Sequence, residues 1–352
     1  MQGSRVHFQN VTKSFGTTVA LSDFNLDIAP GEFVTLLGAS GSGKSTALNI
    51  LAGFSDASSG EVFIDDRPLT GVAPENRNVG MVFQNFALFP HKTVAENVAF
   101  PLKMRKVARP EIDRRVKASL EMVRLGDFAA RKPAALSGGQ RQRVALARAV
   151  VFEPPVLLMD ECLSALDLKL REELQEEIRR IHREIGTTVL FVTHDQTEAL
   201  TMSDRIAILE GGKIVQIDAP EALYDRPRTR FVADFIGQSN MFDLSPVKDG
   251  RADVPDMGID IPVADAAAVA ISLRPERIRV VLGETPTDKS VFEGVVEDET
   301  FFGPVVAQSV RLTSGRLLDV RSQRSGHDRL PHAGEAIKLA FDPADAAPLA
   351  AD

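Results

Sequence analysis

Nine consecutive residues carry the densest chemical signal in the chain: Gly38-Ala39-Ser40-Gly41-Ser42-Gly43-Lys44-Ser45-Thr46. The glycines let the backbone turn its amides inward around phosphate oxygens, and a helix starting at Lys44 adds a positive dipole end. In such a loop Lys44 reaches the β- and γ-phosphates, and the Ser45 hydroxyl is a ligand for Mg²⁺. The setting agrees, because a buried-type strand, Phe33-Val34-Thr35-Leu36-Leu37, precedes the loop and a helix runs on to Gly53. A second apolar run, Val156-Leu157-Leu158-Met159, ends in Asp160 and Glu161. Asp160 is placed to hold Mg²⁺ through water, and Glu161 sits where a base can polarise an attacking water. Alone, either motif has an ordinary alternative, a chance glycine turn or solvated acids at a strand end. Together they point to hydrolysis of a nucleoside triphosphate.

The surrounding pattern supplies elements that could position these groups. Val6-His7-Phe8 and Asn25–Ile28 read as short strands, broken by Pro30-Gly31. Residues 86–150 read as mainly helical, and Thr188–Val192 as another apolar strand. Leu170, Leu174, Ile178, Ile181 and Ile185 recur every three or four residues, the stripe of one amphipathic helix. Alternating strands and helices predict a parallel sheet covered by helices. Beyond residue 237 the long helical patterns stop. Val291–Val296, Val305–Leu312 and Ile337–Phe341 are short and β-rich between glycines and prolines, which predicts a small antiparallel barrel.

Composition narrows the class. The 352 residues include 41 basic and 49 acidic, a net charge of −8, and a general nucleic-acid binder would need a basic footprint instead. From Asn240 to Asp352 there are 12 basic and 19 acidic residues, a net of −7. Lys103–Arg124 runs the other way, with 8 basic and 3 acidic residues; it reads as a solvated helix face or as a surface near anionic lipid headgroups. No apolar run approaches the roughly 18–20 residues of a membrane-spanning helix. Met1–Phe8 lacks the apolar core of a signal peptide, so a cytoplasmic location is expected. One cysteine, Cys162, excludes an internal disulfide and a cysteine-cluster zinc site.

Leu136-Ser137-Gly138-Gly139-Gln140 then decides among nucleotide hydrolases. Ser137 can cap a helix beginning near Gly138–Gly139 and present free amides and a hydroxyl to an anion. The segment resembles the signature of the ATP-binding-cassette (ABC) ATPases. The resemblance spans residues ~5–237 and implies ATP and Mg²⁺ as cofactors, in a head-to-tail homodimer whose nucleotides are sandwiched between subunits. It assigns Gln84 to the Q-loop (a contact for Mg²⁺ and water), Ser164-Ala165-Leu166-Asp167 to the D-loop, and His194 to the switch histidine at the γ-phosphate. Phe15 falls where the family places an aromatic under the adenine. Cys162 departs from the pattern, since relatives usually carry proline there.

Phe83–His91 and His194–Ala199 resemble bacterial importers that work with a separate solute-binding protein, and Leu273-Arg274-Pro275-Glu276 and Phe301-Phe302-Gly303 resemble the OB-type barrel that maltose, polyamine and ferric-iron importers append. The expected fold is therefore an α/β P-loop NTPase of ABC type over residues 1–237, with a helical subdomain over about 86–150. An OB-like (TOBE) regulatory domain is expected over 238–352. The implied partners are two integral-membrane permease subunits and, through them, a periplasmic solute-binding protein, with the ATPase at the cytoplasmic face of the inner membrane. No nucleic acid is expected, because the C-terminal part is acidic and has no Trp or Tyr after Asn240. Asn97–Leu102, Phe231–Gly237 and Asn240-Met241-Phe242 look most like the spermidine/putrescine group. Ferric iron, sugars and opine-type solutes stay open at this stage, as does the more remote reading of a soluble ABC ATPase acting on nucleic acid or ribosomes. Phe86, Leu88 and Phe89 are expected either to form an apolar surface for a membrane partner or to pack locally.

Overall fold

The computed structural model describes residues 3–351, apart from 165–166, 285, 287–288 and 325–329. It divides into two compact units, Met1–Pro220 and Glu221–Asp352.

The first unit opens with a long hairpin of β1 (Val6–Phe15) and β2 (Thr18–Ile28), extending well past the two short strands expected from apolar residues alone. After it come β3 (Phe33–Gly38), α1 (Lys44–Ala52), β4 (Ser59–Ile64), β5 (Arg67–Pro68) and β6 (Val79–Val82). Three helices follow, α2 (Val94–Met104), α3 (Arg109–Met122) and α4 (Gly138–Val150), as the helical reading of 86–150 predicts. The unit closes with β7 (Val156–Asp160), α5 (Leu168–Ile185), β8 (Thr188–Thr193), α6 (Gln196–Met202), β9 (Arg205–Glu210) and β10 (Lys213–Asp218). Strands order β10-β9-β3-β8-β7-β6 in one sheet and β2-β1-β4-β5 in a second, antiparallel one. In the six-stranded sheet all pairings except β9–β10 are parallel. Every residue of β3 and β8 is buried, because central parallel strands are covered on both faces.

Parallel register brings the carboxyl ends of β3, β7 and β8 to one edge, where Gly38, Asp160 and Thr193 stand side by side. On α5 the expected stripe packs inward: Leu174, Ile178, Ile181 and Ile185 are buried, and Leu170 is packed against the same core. The basic run of α2–α3 faces solvent, and Arg114 and Arg115 hold the Glu111 carboxyl down to about 2.

The second unit begins with α7 (Pro220–Asp225) and α8 (Arg230–Phe235), ahead of the boundary near 237–240 expected from composition. Its strands are β11 (Asn240–Asp243), β12 (Arg251–Val254), β13 (Ile259–Pro262), β14 (Ala270–Leu273), β15 (Arg279–Val280), β16 (Ser290–Phe301), β17 (Val305–Leu312), β18 (Leu317–Gln323), β19 (Ala336–Phe341) and β20 (Ala347–Leu349). Five of them form a curled antiparallel sheet in the order β15-β19-β16-β17-β18. The register of β16 against β17 shifts between Val296 and Asp298, a bulge that bends the longest strand. Phe242, Leu273, Phe292, Val310 and Phe341 fill the interior. Arg274 explains why 221–237 packs with this unit. Its buried guanidinium donates to the carbonyls of Tyr224, Ala233, Gly237 and Gln238 at 2.9–3.3 Å, tying α7 and α8 to the end of β14.

In the first unit Arg77 has a comparable role beneath the phosphate-loop helix. Its buried guanidinium donates to the carbonyls of Ile50 (2.6 Å) and Leu51 (3.0 Å) at the end of α1, where helical donors run out; Ile50 also accepts from the Gly53 amide at 3.2 Å. It also reaches Val72 (2.9 Å) and Leu69 (3.0 Å). Glycine at position 53, at φ 88°, makes room, since a Cβ there would lie 2.6 Å from Arg77 Nε. Arg77→Met should cost about 3 kcal/mol, because four carbonyls lose a charged donor. At roughly 2–4 °C per kcal/mol, Tm of the first unit should fall by about 6–12 °C. A thermal melt followed by circular dichroism checks this; an unchanged Tm refutes the tie.

Candidate functional site

The phosphate loop is shaped by backbone conformations that side chains resist. Gly41 (φ 82°) and Gly43 (φ 104°) lie in the left-handed region, and a Cβ on Gly43 would sit 2.5 Å from the Ala20 carbonyl. Helix α1 starts at Lys44 with no side-chain cap and no acidic residue in its first turn, so its leading amides and dipole face the loop without competition. Ser45 is exposed and Thr46 half-buried; Ala39 and Ser40 are exposed at the mouth. The Lys44 ammonium is buried and donates to the carbonyls of Gly38 and Ala39, both at 2.8 Å. Burial lowers its pKa, while Glu161 and Asp160 pull the other way.

The acidic pair projects from the end of β7. Burial raises the Asp160 carboxyl above its usual range, the neighbouring Glu161 charge raises it further, and Lys44 opposes both. Glu161 has φ 39°, a left-handed conformation uncommon for a non-glycine residue, and its amide donates to the Val192 carbonyl at 2.9 Å. That turn aims the carboxylate between two other residues expected to be catalytic. Gln84 Nε2 donates to one Glu161 oxygen at 3.3 Å, and His194 Nδ1 lies 3.2 Å from the other. Gln84, Glu161 and His194, far apart in sequence, therefore form one contact chain.

This donor set suits the groups it was expected to hold. An exposed hydroxyl, an amide and an acidic pair are hard oxygen ligands of the kind Mg²⁺ takes. Two adjacent carboxylates, one raised by burial and further by its neighbour, are a place where a divalent cation relieves repulsion. The inward loop with its buried lysine offers complementary charge to polyphosphate. No cluster of three or more His, Cys, Asp or Glu capable of caging a metal occurs among the described residues. A cation here would accordingly share its coordination with phosphate and water.

Other expected residues lie apart from this chain. Ser137 caps α4 as anticipated: its Oγ accepts from the Gln140 amide (3.3 Å), and Gln140 Oε1 accepts from the Ser137 amide (2.9 Å). Gly139 is packed so tightly that a Cβ would meet Leu170 at 2.8 Å, while Gly138 is half-buried. Among the described residues, none of Ser137, Gly138, Gly139 and Gln140 bonds to the phosphate loop or the acidic pair. Phe15 is 55% exposed at the end of β1, with the Lys13 ammonium 4.8 Å from its ring centroid. Of the D-loop, Ala165 and Leu166 lie outside the described residues, Ser164 Oγ donates to the Glu161 carbonyl (2.9 Å), and Asp167 caps α5.

Several supporting residues escaped the sequence reading. Arg171 on α5 binds Asp195 at 2.8 Å, Asp195 caps α6, and the buried Glu198 accepts from Thr193 at 2.6 Å. His194 is thus held between a strand end and a helix cap that are both anchored. A signal existed in Asp195 and Glu198, which space like an N-cap and its third helical residue. Phe86, Leu88 and Phe89 are each half-buried, so part of each side chain packs locally and part stays at the surface. Phe86 and Leu88 pack against the helical core, and Phe89 lies 4.6 Å from the Phe100 ring.

Cys162 follows Glu161 but is buried, and desolvation raises its thiol well above the usual range. It fills the turn as a small apolar group, which argues against a redox role. The native protein should show no reaction with Ellman's reagent over minutes and release one equivalent on unfolding in guanidinium; rapid native labelling would contradict this burial.

Against known proteins, the ABC transporter family matches residues 21–164, and the TOBE domain family matches residues 271–349. The spermidine/putrescine import ATP-binding protein PotA of Pseudomonas aeruginosa (strain UCBPP-PA14) is 45% identical over 348 residues, covering 96% of each chain. The protein of the same name from Haemophilus ducreyi is 47% identical over 347 residues, covering 96% of this chain and 93% of its own. Among solved structures, the dimeric MJ0796, a bacterial ABC transporter cassette, superposes with a TM-score of 0.56 at 38% identity. It covers 61% of this chain and 98% of its own. A post-hydrolysis state of that cassette, bound to ADP and Pi, superposes with a TM-score of 0.55. With nearly full-length relatives at this identity, a phosphate loop joined to its acidic pair, and a curled sheet after the cassette, the chain belongs to the ABC transporter ATPases, as an ATP-binding subunit that carries a C-terminal TOBE domain.

Proposed function

We propose that this chain is the ATP-hydrolysing motor of a polyamine importer, driving spermidine or putrescine uptake through two separate membrane permease subunits. A periplasmic solute-binding protein would deliver the solute. The motor would work as a homodimer at the cytoplasmic face of the inner membrane; among the described residues no helix is long and apolar enough to cross it. The motor reading is supported by the contact chain Gln84–Glu161–His194 beside Lys44 and Asp160, where a base, a γ-phosphate contact and a metal-facing amide would lie together, and the polyamine reading by the relatives named for spermidine/putrescine import.

In this reading Lys44 and the α1 amides bind the β- and γ-phosphates, and Gly38–Thr46 wraps them. Phe15 supports the adenine. Mg²⁺, when bound, neutralises developing phosphate charge, with Ser45, Asp160 and Gln84 as its protein-side neighbours. Glu161 orients and deprotonates the attacking water, and His194 contacts the γ-phosphate. Ser137, Gly138, Gly139 and Gln140 would serve the nucleotide of the partner subunit, with the capped start of α4 offering its hydroxyl and amides. Gln84–His91 relays the nucleotide state to the permease. It would present the half-buried Phe86, Leu88 and Phe89 together with the exposed Asn85, Ala87, Pro90 and His91.

Glu161→Gln should retain ATP binding, lower kcat by at least about 100-fold, and shift the protein to a dimer in gel filtration with Mg·ATP. Turnover near the wild-type rate would remove Glu161 from the base role. Lys44→Ala should instead lose affinity as well as turnover, as measured by nucleotide titration. In cells, replacing the chain by its Glu161→Gln form should abolish accumulation of labelled spermidine or putrescine. Unchanged polyamine uptake with loss of iron or sugar uptake would reassign the solute.

A further inference from the structure

The relay segment is fastened at two points by buried side chains from two helices. On α4, Arg148 stands eleven residues after Ser137. Its guanidinium donates through Nη2 to the Phe86 carbonyl at 2.8 Å and through Nη1 to the Ala87 carbonyl at 2.7 Å. Arg148 is 8% exposed, and among the described residues no carboxylate pairs with it. On α2, the fully buried Asn97 accepts from the Phe89 amide at 2.8 Å and donates to the Phe89 carbonyl at 3.1 Å.

The backbone between these anchors is unusual. Phe86 (φ 63°) and Ala87 (φ 45°) are consecutive non-glycine residues in the left-handed region. Each disfavours that conformation, so a pair persists only where surrounding groups hold it. The fork of Arg148 does so directly, one N–H on each carbonyl. Stability alone does not account for an arginine here. It interrupts the buried run Val144–Val150, where an apolar side chain would fill the core without burying an unpaired charge. What the arginine adds is a rigid two-pronged link between one helix and two particular peptide groups.

We propose that Arg148 is the positioning residue that couples α4 to the relay, transmitting displacement of the signature end at Ser137 to the peptide groups of Phe86 and Ala87. Eleven residues of helix span about 16 Å, and a helix carries axial displacement with little loss. Asn97 holds Phe89 against α2, so motion of α4 relative to α2 changes the shape of 86–88 rather than dragging the segment bodily. The exposed Asn85, Ala87 and Pro90 would present that change to a partner. The proposal rests on the reading of Gln84–His91 as the relay.

Hydrogen exchange of the peptide 84–92 in the full chain, with and without Mg·ATP in a Glu161→Gln background, tests it. The amides of Phe86, Ala87 and Phe89 are all bonded within this region, to Phe83, Asn85 and Asn97, so their exchange reports its shape. The background should show an ATP-linked change in this peptide. Adding Arg148→Gln should speed its exchange about tenfold and erase the ATP-linked difference, while β3 and β8 stay protected. ATP affinity should hold within about threefold, because Arg148 touches no nucleotide group. Arg148→Lys, which keeps the charge but cannot span both carbonyls, should reduce the ATP-linked difference by about half or more, and it decides the matter if Arg148→Gln does not fold. An undiminished difference in the folded variants overturns the role of Arg148 alone. No ATP-linked change in the background itself overturns the relay reading, and this proposal with it.

Discussion

One backbone hydrogen bond organises the chemistry: the Glu161 amide to the Val192 carbonyl, just past the carboxyl end of β7. It continues the parallel ladder between β7 and β8 by one step and forces Glu161 into its left-handed turn. Without that turn the carboxylate would continue the alternation of the strand. With it, the side chain lies over the sheet edge, within reach of both Gln84 and His194. The rest of the cassette supports that edge. The hydrophobic strands beneath set the register, α5 and α6 fix the loop of His194 through Arg171 and Asp195, and α1 brings Lys44 in from the neighbouring strand.

A second theme is the use of arginine as a backbone clamp. Arg77, Arg148 and Arg274 are each buried and each bind two or more carbonyl oxygens, those of Arg148 belonging to one turn and those of the other two to separate segments. A guanidinium has five donors and no acceptor, so it can collect carbonyls that helix ends and irregular turns leave unsatisfied. For each of the three, burial pulls the pKa down, yet arginine remains charged because its starting value is so high. Lysine could not serve, being a point charge that loses its proton more readily.

These clamps also mark where sequence reading fails. The phosphate loop, the acidic pair, the cap at Ser137 and the stripe on α5 were legible because each is a local pattern with a local cause. Glycine spacing, a strand ending in acids, a serine before a helix and a 3.6-residue period all act within a few positions. Arg77, Arg148, Asn97 and Arg274 bind carbonyls up to 62 positions away, and carbonyls carry no side-chain identity to read. The strand lengths of β1 and β2 were hidden for another reason. One face of their sheet is polar, so the outer halves of the hairpin lack an apolar run. Whether Phe86, Leu88 and Phe89 pack locally or face outward was not legible, because a loop whose backbone is gripped by two helices leaves its side chains half-buried.

The two carbonyls that hold Lys44 have a thermodynamic meaning of their own. Drawing an ammonium out of water is the most expensive part of building a phosphate site, and here the fold has already borne it. An arriving polyphosphate therefore exchanges one set of oxygen acceptors for another around a charge that is dry in advance. Binding free energy that would otherwise be consumed in dehydration and ordering is retained as affinity. The phosphate loop is in this sense a preorganised solvent for the triphosphate, assembled when the chain folds rather than when the nucleotide arrives.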